Sequence, residues 1–153
     1  MVRYNEARYA NAPNMSSYKK SMEGWVDNSK EWVAREKDQE IFLLPGQVDD
    51  KVRILEKVLS LRKSGVRAGT VIRDKFIPDH ELVLSKYLDI NAPFIDLEKE
   101  EALKFLRKQD LLPTVKEKGW YYIRYQGLAL GLIKHLGNRV NNYYPASWRI
   151  LMS

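Results

Sequence analysis

The residues best suited to chemistry lie near the end of the 153-residue chain, in Gly137-Asn138-Arg139-Val140-Asn141-Asn142-Tyr143-Tyr144-Pro145-Ala146-Ser147-Trp148-Arg149-Ile150. Guanidinium and amide groups here can reach phosphates, base edges and 2′-hydroxyls, and flat rings offer surfaces on which a base can stack. The same types also serve structure. Asn138, Asn141 and Asn142 suit turns, Tyr144-Pro145 can seat a loop on a core, and Trp148 can plug one with Arg149 at its rim. Structure is the preferred reading for Tyr144, Pro145 and Trp148, while Lys134, Arg139 and Arg149 stay open between the two.

No catalytic constellation stands beside this segment. The two histidines, His80 and His135, have no acidic or histidine partner at metal-binding spacing. Both read as ordinary hydrogen-bonded side chains. There is no cysteine, which excludes disulfides, thiolate metal sites and cysteine nucleophiles together and fits a reducing cytoplasm. Neither a G-x-x-x-x-G-K-[ST] loop nor a G-x-G-x-x-G loop is present. No apolar run reaches the roughly 18 residues of a membrane span, and no signal-peptide pattern opens the chain.

Charge sharpens the picture. Lys and Arg exceed Asp and Glu by 26 to 20, and the excess is concentrated. Residues 51–75 carry 8 basic and 2 acidic groups, and residues 115–153 carry 6 and 1. Residues 76–96 are acidic in sum and residues 97–114 are balanced. Two basic blocks brought together by the fold would make one face for a polyanion; the other reading is a solvated basic surface.

The elements that must position these residues form an α+β chain. Residues 1–20 lack a clear period and read as a tail or linker with a short helical piece. Trp32-Val33-Ala34 and Ile41-Phe42-Leu43-Leu44 read as strands around a turn. Asp49 or Asp50 can cap a short helix with Val48, Val52 and Leu55 along one face, and Asp79 can cap another carrying Leu82, Val83 and Tyr87. A third helix over Leu97–Lys108 has Glu98, Glu100 and Glu101 early and Lys104, Arg107 and Lys108 late, as the helix dipole favours. Two segments align with each other, Gly65-Val66-Arg67-Ala68-Gly69-Thr70-Val71-Ile72-Arg73 and Gly127-Leu128-Ala129-Leu130-Gly131-Leu132-Ile133-Lys134-His135. Each follows strand-like residues, Val58–Lys63 and Trp120–Tyr125, so both read as hairpins turning at an x-Gly pair, with an interior glycine where a bulky neighbour crosses the strand. Pairing Tyr125 with Leu128 puts Tyr121, Ile123, Tyr125, Leu128, Leu130 and Leu132 on one core face. Trp120, Tyr122, Arg124, Ala129, Gly131, Ile133 and His135 then share a mixed face.

The motif Gly119-Trp120, Tyr125-Gln126-Gly127-Leu128-Ala129-Leu130-Gly131-Leu132-Ile133-Lys134, Asn138-Arg139, Asn141 to Pro145 and Trp148-Arg149 resembles a known domain. It is similar to the C-terminal PUA-like RNA-binding domain of bacterial Nol/Nop/Sun-family RNA cytosine-5 methyltransferases, in the ribosomal RNA small subunit methyltransferase F group. The stretch Gly65–Leu84, with Phe76-Ile77-Pro78-Asp79-His80, resembles that group as well. The resemblance implies a PUA-like β-barrel built from glycine-turn hairpins with two to three helices. It divides the chain into a tail at 1–20 and a domain at 21–153, with a small subdomain at 21–47. Asp79 and Glu81 depart from the group's pattern by placing acid at that helix end, so RNA is not expected there.

What the resemblance implies about function is binding of structured RNA, ribosomal RNA in expectation, in a bacterial cytoplasm and without a membrane. Methyl transfer in that family needs a cysteine thiolate and S-adenosylmethionine. A chain without cysteine or a cofactor-binding half is expected not to be an enzyme as given and to need no cofactor. It is either a piece of a longer S-adenosylmethionine-dependent enzyme, which the unpatterned start favours, or a separately encoded relative of its tail. The alternative is a docking domain that packs on a methyltransferase catalytic domain or a ribosomal protein. The expected RNA-binding residues are Lys134, Arg139 and Arg149, with Arg67 and Arg73 from the first basic block and Tyr143 as a stacking ring.

Overall fold

A computed structural model describes residues 15–112 and 115–151. The helices are α1 (Met15–Ser21), α2 (Asp49–Val58), α3 (His80–Val83) and α4 (Lys99–Leu106). The strands are β1 (Val33–Lys37), β2 (Glu40–Leu44), β3 (Val66–Ile72), β4 (Lys75–Pro78), β5 (Phe94–Asp96), β6 (Gly119–Tyr125), β7 (Leu128–His135) and β8 (Val140–Asn142). The α+β class and PUA-like character hold, with four α-helices among the described residues where two to three were expected. The strands form two open four-stranded sheets in chain order, β1-β2-β3-β4 and β5-β6-β7-β8, and not one closed barrel. The expected tail lies largely outside the described residues. Its described part is α1, whose Tyr18 is buried in the first core with Met22 just beyond. Residues 21–47 supply β1 and β2, which pair into one sheet with β3 and β4.

The first aligned segment is a hairpin, but a different one. Val58 ends α2, the chain crosses to β3 without forming a strand, and β3 turns back into β4 at Arg73-Asp74. Both turn residues have positive φ, as do Asp38-Gln39 between β1 and β2 and Gln126-Gly127 between β6 and β7. That is the two-residue turn whose twist matches antiparallel strands, and two of the three are built without glycine. Gly65 serves another purpose. Its φ is +89° and a Cβ there would strike the Leu43 carbonyl and the Leu44 side chain, so it lets the chain pass against β2.

Helix α2 buries no residue; Ile54, Leu55 and Val58 are exposed. Its N-cap is Val48, and Asp49 is its first residue rather than its cap. An arginine of β1 holds the helix instead: Arg35 Nε lies 2.7 Å from Asp49 Oδ1 and its terminal nitrogen 2.6 Å from Glu56 Oε2, all largely shielded from solvent.

In the second sheet β5 runs parallel to β6 and the other pairs are antiparallel. The register at the hairpin tip is the expected one, Tyr125 opposite Leu128 and Arg124 opposite Ala129. A bulge at Ile123/Arg124 then pairs Ile123 with Gly131 and leaves Leu130 as the extra residue. One inserted residue reverses which way later side chains point. Leu132 thereby leaves the expected face to join Tyr122, and Ile133 crosses to join Ile123. Leu128, expected in the core, is 69% exposed. The mixed face is in fact a second core layer, so the sheet is buried on both sides: Phe105 and Ala102 of α4 cover one, Val83 and Ala92 the other.

Helix α3 joins the two halves. Its Leu82 lies in the core of the first sheet and its Val83 in that of the second. Its His80 packs edge-on against Tyr144 and Trp148, at 5.6 and 5.5 Å between ring centroids. Asp79 caps it, with Oδ1 accepting from the Glu81 N–H at 2.9 Å while its own N–H donates to Ala68 O at 2.8 Å. Gly131 makes room, as its place inside a strand implied. A Cβ there would stand 2.7 Å from His80 Cε1 and 2.8 Å from Phe105 Cζ, both on rings wedged by their neighbours.

Gly131→Ala should therefore destabilise the fold by about 1–3 kcal/mol, the usual cost of overpacking a filled core; a lower urea midpoint at unchanged slope is the expected reading. Both ring nitrogens of His80 are buried without a hydrogen-bond partner. Burial pushes its pKa below the ordinary histidine value, against the opposing pull of Asp79 and Glu81. The unfolded chain then takes up this proton first, so stability is full above about pH 6.5 and falls as pH drops towards the depressed folded value. Urea titrations at pH 7.5 and 5.5 should show that loss, and His80→Gln should reduce it.

Candidate nucleic-acid interface

The β6–β7 hairpin places Trp120 and Lys134 directly opposite each other on one face of the sheet. Lys134 Nζ lies 5.1 Å from the centre of the Trp120 ring, within range of a cation–π contact. Tyr143 follows β8, fixed by its N–H donating to Leu132 O at 2.9 Å, and its ring tilts against Trp120 at 4.7 Å. Trp120 is half-buried on the Tyr122–Leu132 core, and Tyr143 is 45% exposed. The result is a rigidly backed aromatic surface with a cation at its edge.

The two neighbouring tyrosines divide the tasks. Tyr143 faces outward, whereas Tyr144 packs inward against Phe105 at 5.4 Å. Asn142 locks that arrangement: its side chain donates to Phe105 O at 2.8 Å and accepts from the Tyr144 N–H at 2.9 Å. Asn142 is structural, as is Lys108, whose amine donates to the Asn142 and Tyr144 carbonyls at 3.0 and 2.7 Å. Trp148 meets His80 and Tyr144 edge-on and still leaves 54% of itself exposed, so it is a rim residue more than a plug. Arg149 follows it, exposed, and the chain beyond is tied down by the Ile150 N–H donating to Leu106 O at 3.0 Å. Arg139 is exposed at the β7–β8 turn.

Three cations of the first basic block are committed to acids, for a reason that sequence spacing hides. Arg67 reaches Glu40 and Asp79, each at 2.8 Å. Lys63 pairs with Glu81 at 2.6 Å, and Arg53 with Asp49 at 2.8 Å. Burial alone would raise the Glu81 carboxyl, but Lys63 and the Arg67 N–H hold it below the usual carboxylate range. The acids at the start of α3 are thus ion-pair partners of the first sheet. Arg73 is exposed at its hairpin turn, five residues along β3 from the Ala68 that contacts α3, or about 17 Å at ordinary strand rise. The two hairpins lie in separate sheets, so the single barrel on which convergence of Arg67 and Arg73 with Lys134 depended is not formed. In the second block only Arg124 has a carboxylate partner among the described residues, Asp96 at 2.6 Å.

His135 is buried, with its Nδ1–H directed at Glu117 O at 2.7 Å. Among the described residues no group of three or more acids and histidines could hold a metal, and no helix is long and apolar enough to cross a membrane.

The family model described as the methyltransferase RsmF PUA domain matches residues 92–150. These residues are similar to the RsmF PUA-domain family. They comprise the whole second sheet, α4 and the Tyr143–Trp148 segment. Longer stretches of the chain align with proteins named ribosomal RNA small subunit methyltransferase F. One from Shewanella loihica is 31% identical over 115 residues, covering 74% of this chain and 22% of the relative. One from Shewanella piezotolerans is 32% identical over 112 residues, covering 71% and 22%. One from Enterobacter is 29% identical over 122 residues, covering 79% and 24%. The chain thus spans about a quarter or less of the length of these curated relatives. Tyr143 faces outward beside Trp120 and Lys134, and Arg67 is tied to Glu40 and Asp79 within the fold.

Arg67→Ala should lower stability by about 1 kcal/mol, the scale of half-exposed ion pairs. Denaturation should register that loss, and RNA affinity should stay within twofold of the parent chain.

Proposed function

We propose that this chain is an RNA-binding module with ribosomal RNA as its target, serving a 5-methylcytosine RNA methyltransferase as its C-terminal domain or as a stand-alone relative of it. The observation that carries this reading is the Lys134–Trp120–Tyr143 cluster, with its outward ring, rigid backing and a cation that has no carboxylate partner among the described residues; Arg139 and Arg149 are exposed in the same C-terminal stretch of sequence. The names of the relatives support ribosomal RNA as the substrate class, and the setting in this reading is the cytoplasm. Catalysis belongs elsewhere in this reading, because the family's chemistry needs a thiolate and this sequence has no cysteine. S-adenosylmethionine is assigned to the parent enzyme's catalytic part. Lys134, Arg139 and Arg149 contact phosphates, Tyr143 stacks, and Arg73 is an outlying contact on the other sheet.

A second reading rests on α2. Ile54, Leu55 and Val58 stay in solvent, flanked by Lys51, Arg53 and Lys57. This face is suited to pack on a methyltransferase catalytic domain of the kind that the remaining length of the relatives can accommodate. The two readings differ in salt dependence. RNA affinity should fall steeply with salt, and alanine at Lys134, Arg139 or Arg149 should reduce the log–log slope by about 0.7–0.9 for each phosphate no longer neutralised. Anisotropy titrations with a ribosomal RNA hairpin at several salt concentrations measure this. Unchanged affinity in folded variants would reject the surface, and salt-insensitive binding to a catalytic domain, abolished in Ile54→Glu, would favour docking.

A further inference from the structure

Beside Tyr143 the surface falls into an open groove of about 420 Å³ between the C-terminal turn of α4 and β8. That size lies within the range of roughly 300–1,000 Å³ common for small-molecule sites. Its walls are fixed by the contacts of Lys108 and Asn142. Lys108 has a φ of +56° in the turn that ends α4, where its N–H donates to Phe105 O and the Gln109 N–H to Lys104 O. Glycine is the usual residue at such a position. Here a lysine stands, and its amine ties the turn to the opposite wall by two carbonyls. The groove is therefore formed before anything enters it.

What the groove presents is a mixture of donors and acceptors. Gln109, Asp110 and Asn141 line it, and none of the three side chains has a protein partner among the described residues. Among the described lining residues the one cation, Lys108, donates to carbonyls. A free carboxylate and no free cation repel a phosphate, whereas a base edge carries the matching donors and acceptors. An ionised carboxylate can only accept, so it selects a base with an amino donor, such as N4 of cytosine or N6 of adenine. Uracil offers one N–H between two carbonyl oxygens that the carboxylate repels. Tyr143, at the lip, is a platform for the base or its neighbour, and Arg139 and Lys134 remain outside for the phosphates.

We infer that this groove takes one unpaired nucleobase bearing an exocyclic amino group, read by Asp110, Gln109 and Asn141 and stacked on Tyr143. The inference rests on the RNA-binding reading and gives it a base preference. The test is anisotropy binding of eight-nucleotide oligo(C), oligo(A) and oligo(U) to the full chain, with each variant checked for folding by thermal melting. Oligo(C) and oligo(A) should bind more tightly than oligo(U). Asp110→Asn should shrink that difference, and Asn141→Ala should lower affinity for oligo(C) more than for oligo(U). Tyr143→Ala should weaken all three on the order of tenfold, with Tyr143→Phe close to the parent. Equal binding of oligo(U), or a ranking untouched in Asp110→Asn and Asn141→Ala, overturns the groove. So does charge-dependent binding of a structured hairpin with no oligonucleotide bound; in both cases the RNA reading survives. No RNA bound in any form overturns both.

Discussion

The structure depends on a four-residue helix. Helix α3 is too short to be stable by its own hydrogen bonds, and it persists because its side chains are committed to different neighbours. Leu82 enters one core and Val83 another, and His80 enters a cage of rings. Its N-terminus is capped by Asp79, which is also bound to Arg67 and to the β3 backbone. Two open sheets, each with its own core, are thereby made into one molecule.

That commitment constrains the second sheet. His80 and Phe105 converge on β7 where Gly131 has no side chain, and the bulge beside it redistributes Leu132 and Ile133 between two cores. A sheet buried on both faces has little freedom to move. Its outer strand carries Asn142, which pins Tyr144 inward and leaves Tyr143 outward. The firmness of the proposed RNA surface is inherited from packing on the reverse side of the same strands. Preorganisation of this kind lowers the entropy cost of binding.

Charge follows the same logic. Formal charge gives the block at residues 51–75 the larger excess, but Arg53, Lys63 and Arg67 are paired with acids brought from β2, α2 and α3, which leaves Lys51, Lys57, Arg62, Arg73 and Lys75 without a carboxylate partner among the described residues. The C-terminal block has fewer cations, and Lys134, Arg139 and Arg149 lack carboxylate partners among the described residues. Which cations can serve a polyanion is decided by where the acids fold.

Local sequence was enough for the α+β class, the β1–β2 and β6–β7 hairpins, the Asp79 cap, the α4 charge order and the family resemblance at the C-terminal end. These rest on turn propensity, alternation, capping and the helix dipole, which act over a few residues. It also made the Tyr143–Trp148 segment conspicuous, and the inward packing of Tyr144 agrees with the structural role preferred for it. The remainder was settled by long-range packing. Period-two alternation cannot reveal a bulge, so Leu128 and Leu132 were placed on a face that the fold does not keep. Val58–Lys63 had strand-like content, but Arg35 of β1 captures Asp49 and Glu56 and fixes a helix that runs on to Val58. The groove residues Gln109, Asp110 and Asn141 carried no shared signal, because they come from two segments some thirty residues apart that meet only when Lys108 bridges them. Contacts between distant segments depend on the whole packing, and no short window of sequence contains it.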